Sequence, residues 1–102
     1  MLAHLTKDNF KEFYTENKLC LVDFWAQWCG PCRMLTPVLE ELHQKTNLPI
    51  GKVNVDEEEE LAEALRIQSI PALFLFKDGK LVDKKVGYLP MDALASWVKS
   101  YE

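Results

Sequence analysis

Residues 19–42 read LCLVDFWAQWCGPCRMLTPVLEEL, and a change of pattern inside this stretch decides the fold. From 19 to 26 every residue except Asp23 is apolar, which marks a central strand covered on both faces rather than one with a wet side. Leu35, Val38, Leu39 and Leu42 then recur at intervals of three and four, the stripe of an amphipathic helix packed on that strand. Between the two patterns lies Trp28-Cys29-Gly30-Pro31-Cys32. Gly30 gives the backbone room in the turn, and Pro31, with no N–H to lose, is favoured at the first helical position. Cys29 therefore sits at or just before a helix N-terminus. Unpaired N–H groups and the positive end of the helix dipole favour an anion there, so the thiolate of Cys29 is favoured over its thiol. Cys32 lies one turn further on the same side, where Cβ separations of about 5–6 Å are within easy adjustment of disulfide geometry. The spacing lets such a pair open and close without refolding the chain.

The remaining elements are laid out around this strand and helix. Residues 2–5 form a short edge strand, and Thr6 is the expected N-cap of a helix with Phe10, Phe13 and Tyr14 on its apolar face, ending near Asn17. Residues 49–55, rich in β-branched side chains, make the strand after the long helix, and two strands joined through a helix imply a right-handed parallel crossover. Asp56 is the expected N-cap of the next helix, with Glu59 as its capping-box partner and Leu61, Ala62 and Leu65 on the buried side. Residues 71–76 and 80–86 flank Lys77-Asp78-Gly79 and predict a hairpin, because Asp-Gly supplies the positive φ angles of a tight turn. Pro90 opens a last helix with Leu94, Trp97, Val98 and Tyr101 on one face. The order βαβαβαββα is that of an α/β domain with helices on both sides of its sheet.

At 102 residues the chain is expected to form one domain, 1–102, and its 48% hydrophobic and 27% charged residues are those of an ordinary globular protein. A net charge of −4, with no basic face, argues against binding to nucleic acid or an anionic membrane. No stretch approaches the roughly 20 apolar residues that span a bilayer, and residues 1–5 are too short for a signal-peptide core, so the expected address is cytoplasmic. In a reducing compartment three cysteines suit a catalytic pair and one spare thiol. Cys20, in the buried strand, is the spare and reads as a small hydrophobe. A zinc module would need two ligands beyond Cys29 and Cys32, and only Cys20, His4 and His43 remain, none in a second paired spacing.

Asp23-Phe24-Trp25-Ala26 followed by Trp28-Cys29-Gly30-Pro31-Cys32, with Pro37 five residues past the second cysteine, resembles the thioredoxin family. A bare Cys-x-x-Cys is a weak signal, whereas this longer string is specific. The resemblance implies a thioredoxin fold over essentially the whole chain, a central five-stranded mixed sheet flanked by four helices. It further implies a protein-disulfide reductase acting by dithiol–disulfide exchange, with Cys29 as nucleophile and Cys32 as resolving thiol. Asp23, the lone charge in its strand, would then have a raised pKa and serve as base for Cys32 through water; by itself it reads equally as a half-wet aspartate near a strand end. Lys52 matches a lysine neighbouring that aspartate and would otherwise read as a surface residue. Gly30 and Pro31 would tune the redox pair. Trp28, Ile70, Pro71, Ala72 and Gly87 would meet the substrate, with Ile70-Pro71 cis although base rates alone favour trans. Ala72 stands where many family members have threonine, and Pro90 where a serine or threonine cap is common. No bound cofactor and no metal are implied, the Cys29–Cys32 disulfide being reduced by thioredoxin reductase using NADPH. The partners implied are that reductase and disulfide-containing proteins, met by a monomer. A scaffold using the domain for binding alone, and a disulfide oxidase or isomerase on the same fold, are the alternatives; Gly-Pro between the cysteines resembles reductases.

Overall fold

A computed structural model describes residues 2–102, and its centre is the strand Leu19–Trp25, here β2, buried along both faces. In chain order the elements are β1 (Ala3–His4), α1 (Phe10–Glu16), β2, α2 (Gly30–Thr46), β3 (Ile50–Asn54), α3 (Glu59–Ala64), β4 (Ala72–Lys77), β5 (Lys80–Val86) and α4 (Met91–Lys99). The five strands form one sheet in the order β1-β3-β2-β4-β5. The β1–β3 and β3–β2 pairs are parallel, and the β2–β4 and β4–β5 pairs antiparallel. This is the expected mixed sheet with four helices.

Period-two alternation along β2 feeds two cores. Cys20, Val22 and Phe24 face Phe10 of α1 together with Val53, Phe74 and Phe76. Leu21 faces the opposite way, into Leu35, Leu39 and Leu42 of α2 and Leu94, Trp97 and Val98 of α4. Asp23 and Trp25 share the Leu21 side of the strand, so they lie under α2. Along β3 the same alternation puts Gly51 against Leu5, where an added Cβ would fall inside the Leu5 side chain. The Asp78-Gly79 turn has φ of 54° and 78°, the left-handed pair that the hairpin requires. Asp83 on β5 ties α4 to the sheet, its Oδ2 accepting the Trp97 indole N–H and the Tyr101 hydroxyl, both at 2.8 Å.

Three helix starts differ from expectation. Before α1, Thr6 does not cap the helix itself: its hydroxyl accepts the Asp8 N–H at 3.2 Å, Asn9 Oδ1 accepts the Thr6 N–H at 2.7 Å, and the helix begins at Phe10. These two bonds close a turn ahead of the helix. Asp56 is not the N-cap of α3, which begins at Glu59 with Glu58 before it. Asn54, at the end of β3, takes that part first, its Oδ1 accepting the N–H groups of Asp56 at 2.9 Å and Glu57 at 3.4 Å. Pro90 occupies the position ahead of α4 in an extended conformation, φ −71° and ψ 163°, rather than the first helical turn.

Candidate active site

β2 ends at Trp25 and α2 begins at Gly30, so the intervening turn delivers Cys29 to the N-cap of α2. Its backbone is extended, φ −88° and ψ 111°, and its Sγ accepts the N–H of Cys32 at 3.2 Å. That N–H is one of the orphan donors at a helix start, and here a sulfur takes the place of the usual capping oxygen. Pro31 falls within the first two helical positions, where no intrahelical donor is needed. Cys29 and Cys32 are joined as a disulfide with Cα atoms 5.2 Å apart. Cys29 is 4% exposed and Cys32 0%, so what contact the pair has with solvent is through Cys29. Ala26, Trp25, Val55 and Ile70 pack around the two sulfurs.

Around Cys29 predicted contact residues come from three segments, 28–31, 70–71 and 87. The Ile70 carbonyl lies 3.8 Å from Cys29 Sγ, and the Ile70–Pro71 bond is cis. The Pro71 carbonyl accepts the Gly87 N–H at 2.8 Å, which draws the end of β5 to the same rim. Gly87 has φ +99°, a conformation that L side chains rarely adopt, and a Cβ there would meet nothing within 4 Å. Gly30 likewise faces open space. Trp28 is 69% exposed, and its indole N–H donates to Asp56 Oδ2 at 2.9 Å. Ala72 departs from the expected contact set: it is 3% exposed and its side chain joins the Phe24 and Phe74 core, because it is already the first residue of β4 and pairs on both sides.

Asp23 is fully buried, and neither carboxylate oxygen has a hydrogen-bond partner among the described residues. Burial pushes its pKa up to about 7, opposed by the positive charge of Lys52. Lys52 pairs with Asp23 in the β2–β3 register, yet the two form no ion pair within 4.0 Å. The ammonium goes elsewhere. It lies 4.2 Å from the centroid of the Trp25 ring and donates to Thr36 Oγ1 at 2.8 Å. The Thr36 hydroxyl in turn donates to the Cys32 carbonyl at 3.2 Å. Half-burial lowers the Lys52 pKa, against the opposing charges of Asp23 and Glu40. The turn from Cys32 to Thr36 therefore overlies the Asp23, Trp25 and Lys52 side chains.

Sequence reasoning missed Asp56 and Thr36. A signal existed for Thr36, since threonine four residues after Cys32 is placed to bond back to that carbonyl; for Asp56 the cap reading hid the contact with Trp28. Cys20 lies on the other face of β2, fully buried, with its thiol pushed up to about 12 by burial, and takes no part in the site. Among the described residues no group of three or more His, Cys, Asp or Glu side chains could hold a metal ion.

A family model described as Thioredoxin matches residues 1–100. A thioredoxin of Chlamydia caviae is 45% identical over 102 residues, covering 99% of each chain. One of Bacillus subtilis is 46% identical over 89 residues, covering 85% of this chain and 86% of that one. Among solved structures, a mutant thioredoxin from Halobacterium salinarum superposes with a TM-score of 0.88 at 38% identity, over 97% of this chain and 90% of the other. The oxidised mitochondrial thioredoxin 3 of Saccharomyces cerevisiae gives a TM-score of 0.89 at 33% identity, over 97% and 94%.

Proposed function

The chain belongs to the thioredoxin family, with dithiol–disulfide exchange at Cys29 and Cys32 as its chemistry, and on that premise we propose that it is a cytoplasmic protein-disulfide reductase recycled by thioredoxin reductase and NADPH. The observation that carries this reading is Cys29 at the N-cap of α2, the more exposed of the two sulfurs, with Cys32 sealed behind it. In the reduced form the Cys29 thiolate attacks one sulfur of a partner disulfide. A mixed disulfide forms and the partner's other sulfur leaves as a thiolate. Asp23, ionised, takes the proton of Cys32 through water, and the Cys32 thiolate attacks Cys29 Sγ. The Cys29–Cys32 bond forms, the bond to the partner breaks, and the partner departs with both of its sulfurs reduced. NADPH supplies the two electrons that reopen the pair, through the reductase.

Trp28, Gly30, Pro31, Ile70, Pro71 and Gly87 form the surface that meets the partner chain, with the backbone of Ile70 beside Cys29 offering hydrogen bonds to an extended segment. Gly30 and Pro31 tune the pair through the helix start. The whole chain acts as one domain and as a monomer. Reduction of insulin disulfides in the presence of thioredoxin reductase and NADPH tests the reading, with Cys32→Ser expected to trap a stable mixed disulfide through Cys29. Failure of the reductase to reduce the oxidised protein would overturn it.

A further inference from the structure

The Lys52 ammonium faces a buried carboxylate across two paired strands and is nevertheless bound to a neutral hydroxyl on the helix above. From this geometry we propose that Thr36 is a positioning residue, which holds the Lys52 ammonium on the backbone turn of Cys32 and off the Asp23 carboxylate, so that Asp23 stays free to exchange a proton with Cys32. The inference rests on the reading of Asp23 as the base for the resolving thiol.

Three contacts, and the lack of one, support it. Lys52 Nζ to Thr36 Oγ1 is 2.8 Å, a well-formed bond, and the Thr36 proton is spent on the Cys32 carbonyl, 3.2 Å away. The hydroxyl therefore presents its lone pairs to Lys52 and cannot turn away without losing both bonds. The Trp25 ring, 4.2 Å from Nζ, fixes the ammonium from the side of β2. Both Asp23 oxygens remain without a donor among the described residues, although a lysine is the register neighbour. A direct pair would tie the carboxylate into its charged form and make it a poor proton acceptor, since an opposite charge at contact distance holds a carboxyl ionised. Charges around Asp23 are few: from β3 Lys52; from α2 the Cys32 thiol when reduced, with Glu40 acting on Lys52; from β4 the register partner is Leu73, which carries none.

The test is the titration of the Asp23 carboxyl carbon by NMR in the oxidised protein, where neither active-site cysteine titrates. Thr36→Val removes the hydroxyl at nearly constant shape, and the ammonium then turns to the Asp23 carboxylate, its neighbour in the strand register. The midpoint should fall by about 1 pH unit or more. Thr36→Ser restores the hydroxyl and should restore the midpoint. In a Lys52→Met background, which has no ammonium to hold, Thr36→Val should leave the midpoint where Lys52→Met alone puts it. An unchanged or raised midpoint in Thr36→Val, or an equal shift in both backgrounds, overturns the proposal. The pH profile of mixed-disulfide resolution should move to lower pH with the titration in Thr36→Val. Asp23→Asn separates the two readings: resolution as fast as in the unaltered protein ends the role of Asp23 as base, whereas the titration tests Thr36 in either case.

Discussion

Asp23 should make the protein less stable as pH rises. Its carboxyl is ordinary in the unfolded chain, near 3.8, and is pushed up to about 7 in the fold because burial penalises the charged form more than Lys52 favours it. For an acid whose folded pKa is the higher one, the folded state binds more protons between the two values. Stability is then greatest below about 4, declines through the window, and levels off above about 7. The gap is roughly three pH units, which at about 1.36 kcal/mol each comes to about 4 kcal/mol lost above the window. Asp23→Ala removes this cost and leaves a cavity the size of a carboxyl group, worth about 1 kcal/mol at about 24 cal/mol per Å³. The variant should be less stable than the parent by about 1 kcal/mol at pH 4 and more stable by about 3 kcal/mol at pH 8. Guanidinium unfolding of the oxidised proteins across that range measures both limits, and slower resolution by the variant accompanies the gain. A difference between the two proteins that does not change with pH would refute the reasoning, because only a titrating, uncompensated carboxylate makes it change sign.

Other outcomes are open to direct measurement. Iodoacetamide should label Cys29 in the reduced protein well before Cys32 or Cys20, since both of those are fully buried; peptide mapping reads the order. Asp56→Ala should cost no more than about 1 kcal/mol of stability while lowering kcat/KM in insulin reduction several-fold, as the exposed indole loses the bond that holds it in place. Gly51→Ala should destabilise by about 1–3 kcal/mol in thermal unfolding, because the added methyl overlaps the buried Leu5 side chain. The bonds from Trp97, Tyr101 and the Lys84 N–H hold the Asp83 carboxyl below the usual range, so its contribution is present above the unfolded value and is lost as pH falls through the folded one. Asp83→Ala should accordingly speed amide exchange in α4 at neutral pH and much less in acid.

The architecture was largely legible because β2 and α2 differ in hydrophobic period, and because Asp78-Gly79 admits few conformations other than a tight hairpin turn. The cysteine pair was legible for the same reason: a local pattern fixes a helix start. The start of α1 was displaced because Thr6 spends its hydroxyl on the Asp8 N–H in a turn that precedes the helix, and that of α3 because Asn54, just upstream, satisfies the N–H groups of Asp56 and Glu57 before Asp56 can act as a cap. Propensity identifies good caps without saying which of several will be used. Asp56 and Thr36 were invisible for a different reason. Their partners, Trp28 and Lys52, are 28 and 16 residues away in sequence, and only the closed sheet brings them together. Ala72 lies inside the expected strand, and that its side chain turns into the Phe24 and Phe74 core depends on which face of the sheet each position takes, which only the pairing of β4 with both neighbours fixes.

The two margins of the sheet bear on how such a molecule can live among other chains. An enzyme acting by dithiol–disulfide exchange meets other chains, and an open strand edge would invite them to add on and stay. Here β1 offers only two residues. The other margin, β5, carries Lys80, Lys84 and Lys85 along seven exposed or half-exposed positions, and its pairing with β4 is interrupted by a register shift at Leu75/Phe76. Short length, lysines and an irregular ladder are the features by which sheets resist edge-to-edge growth. The molecule is thus guarded at both edges against adding a strand from another copy or another chain, and replacing those lysines with threonine or valine should make it more prone to aggregate.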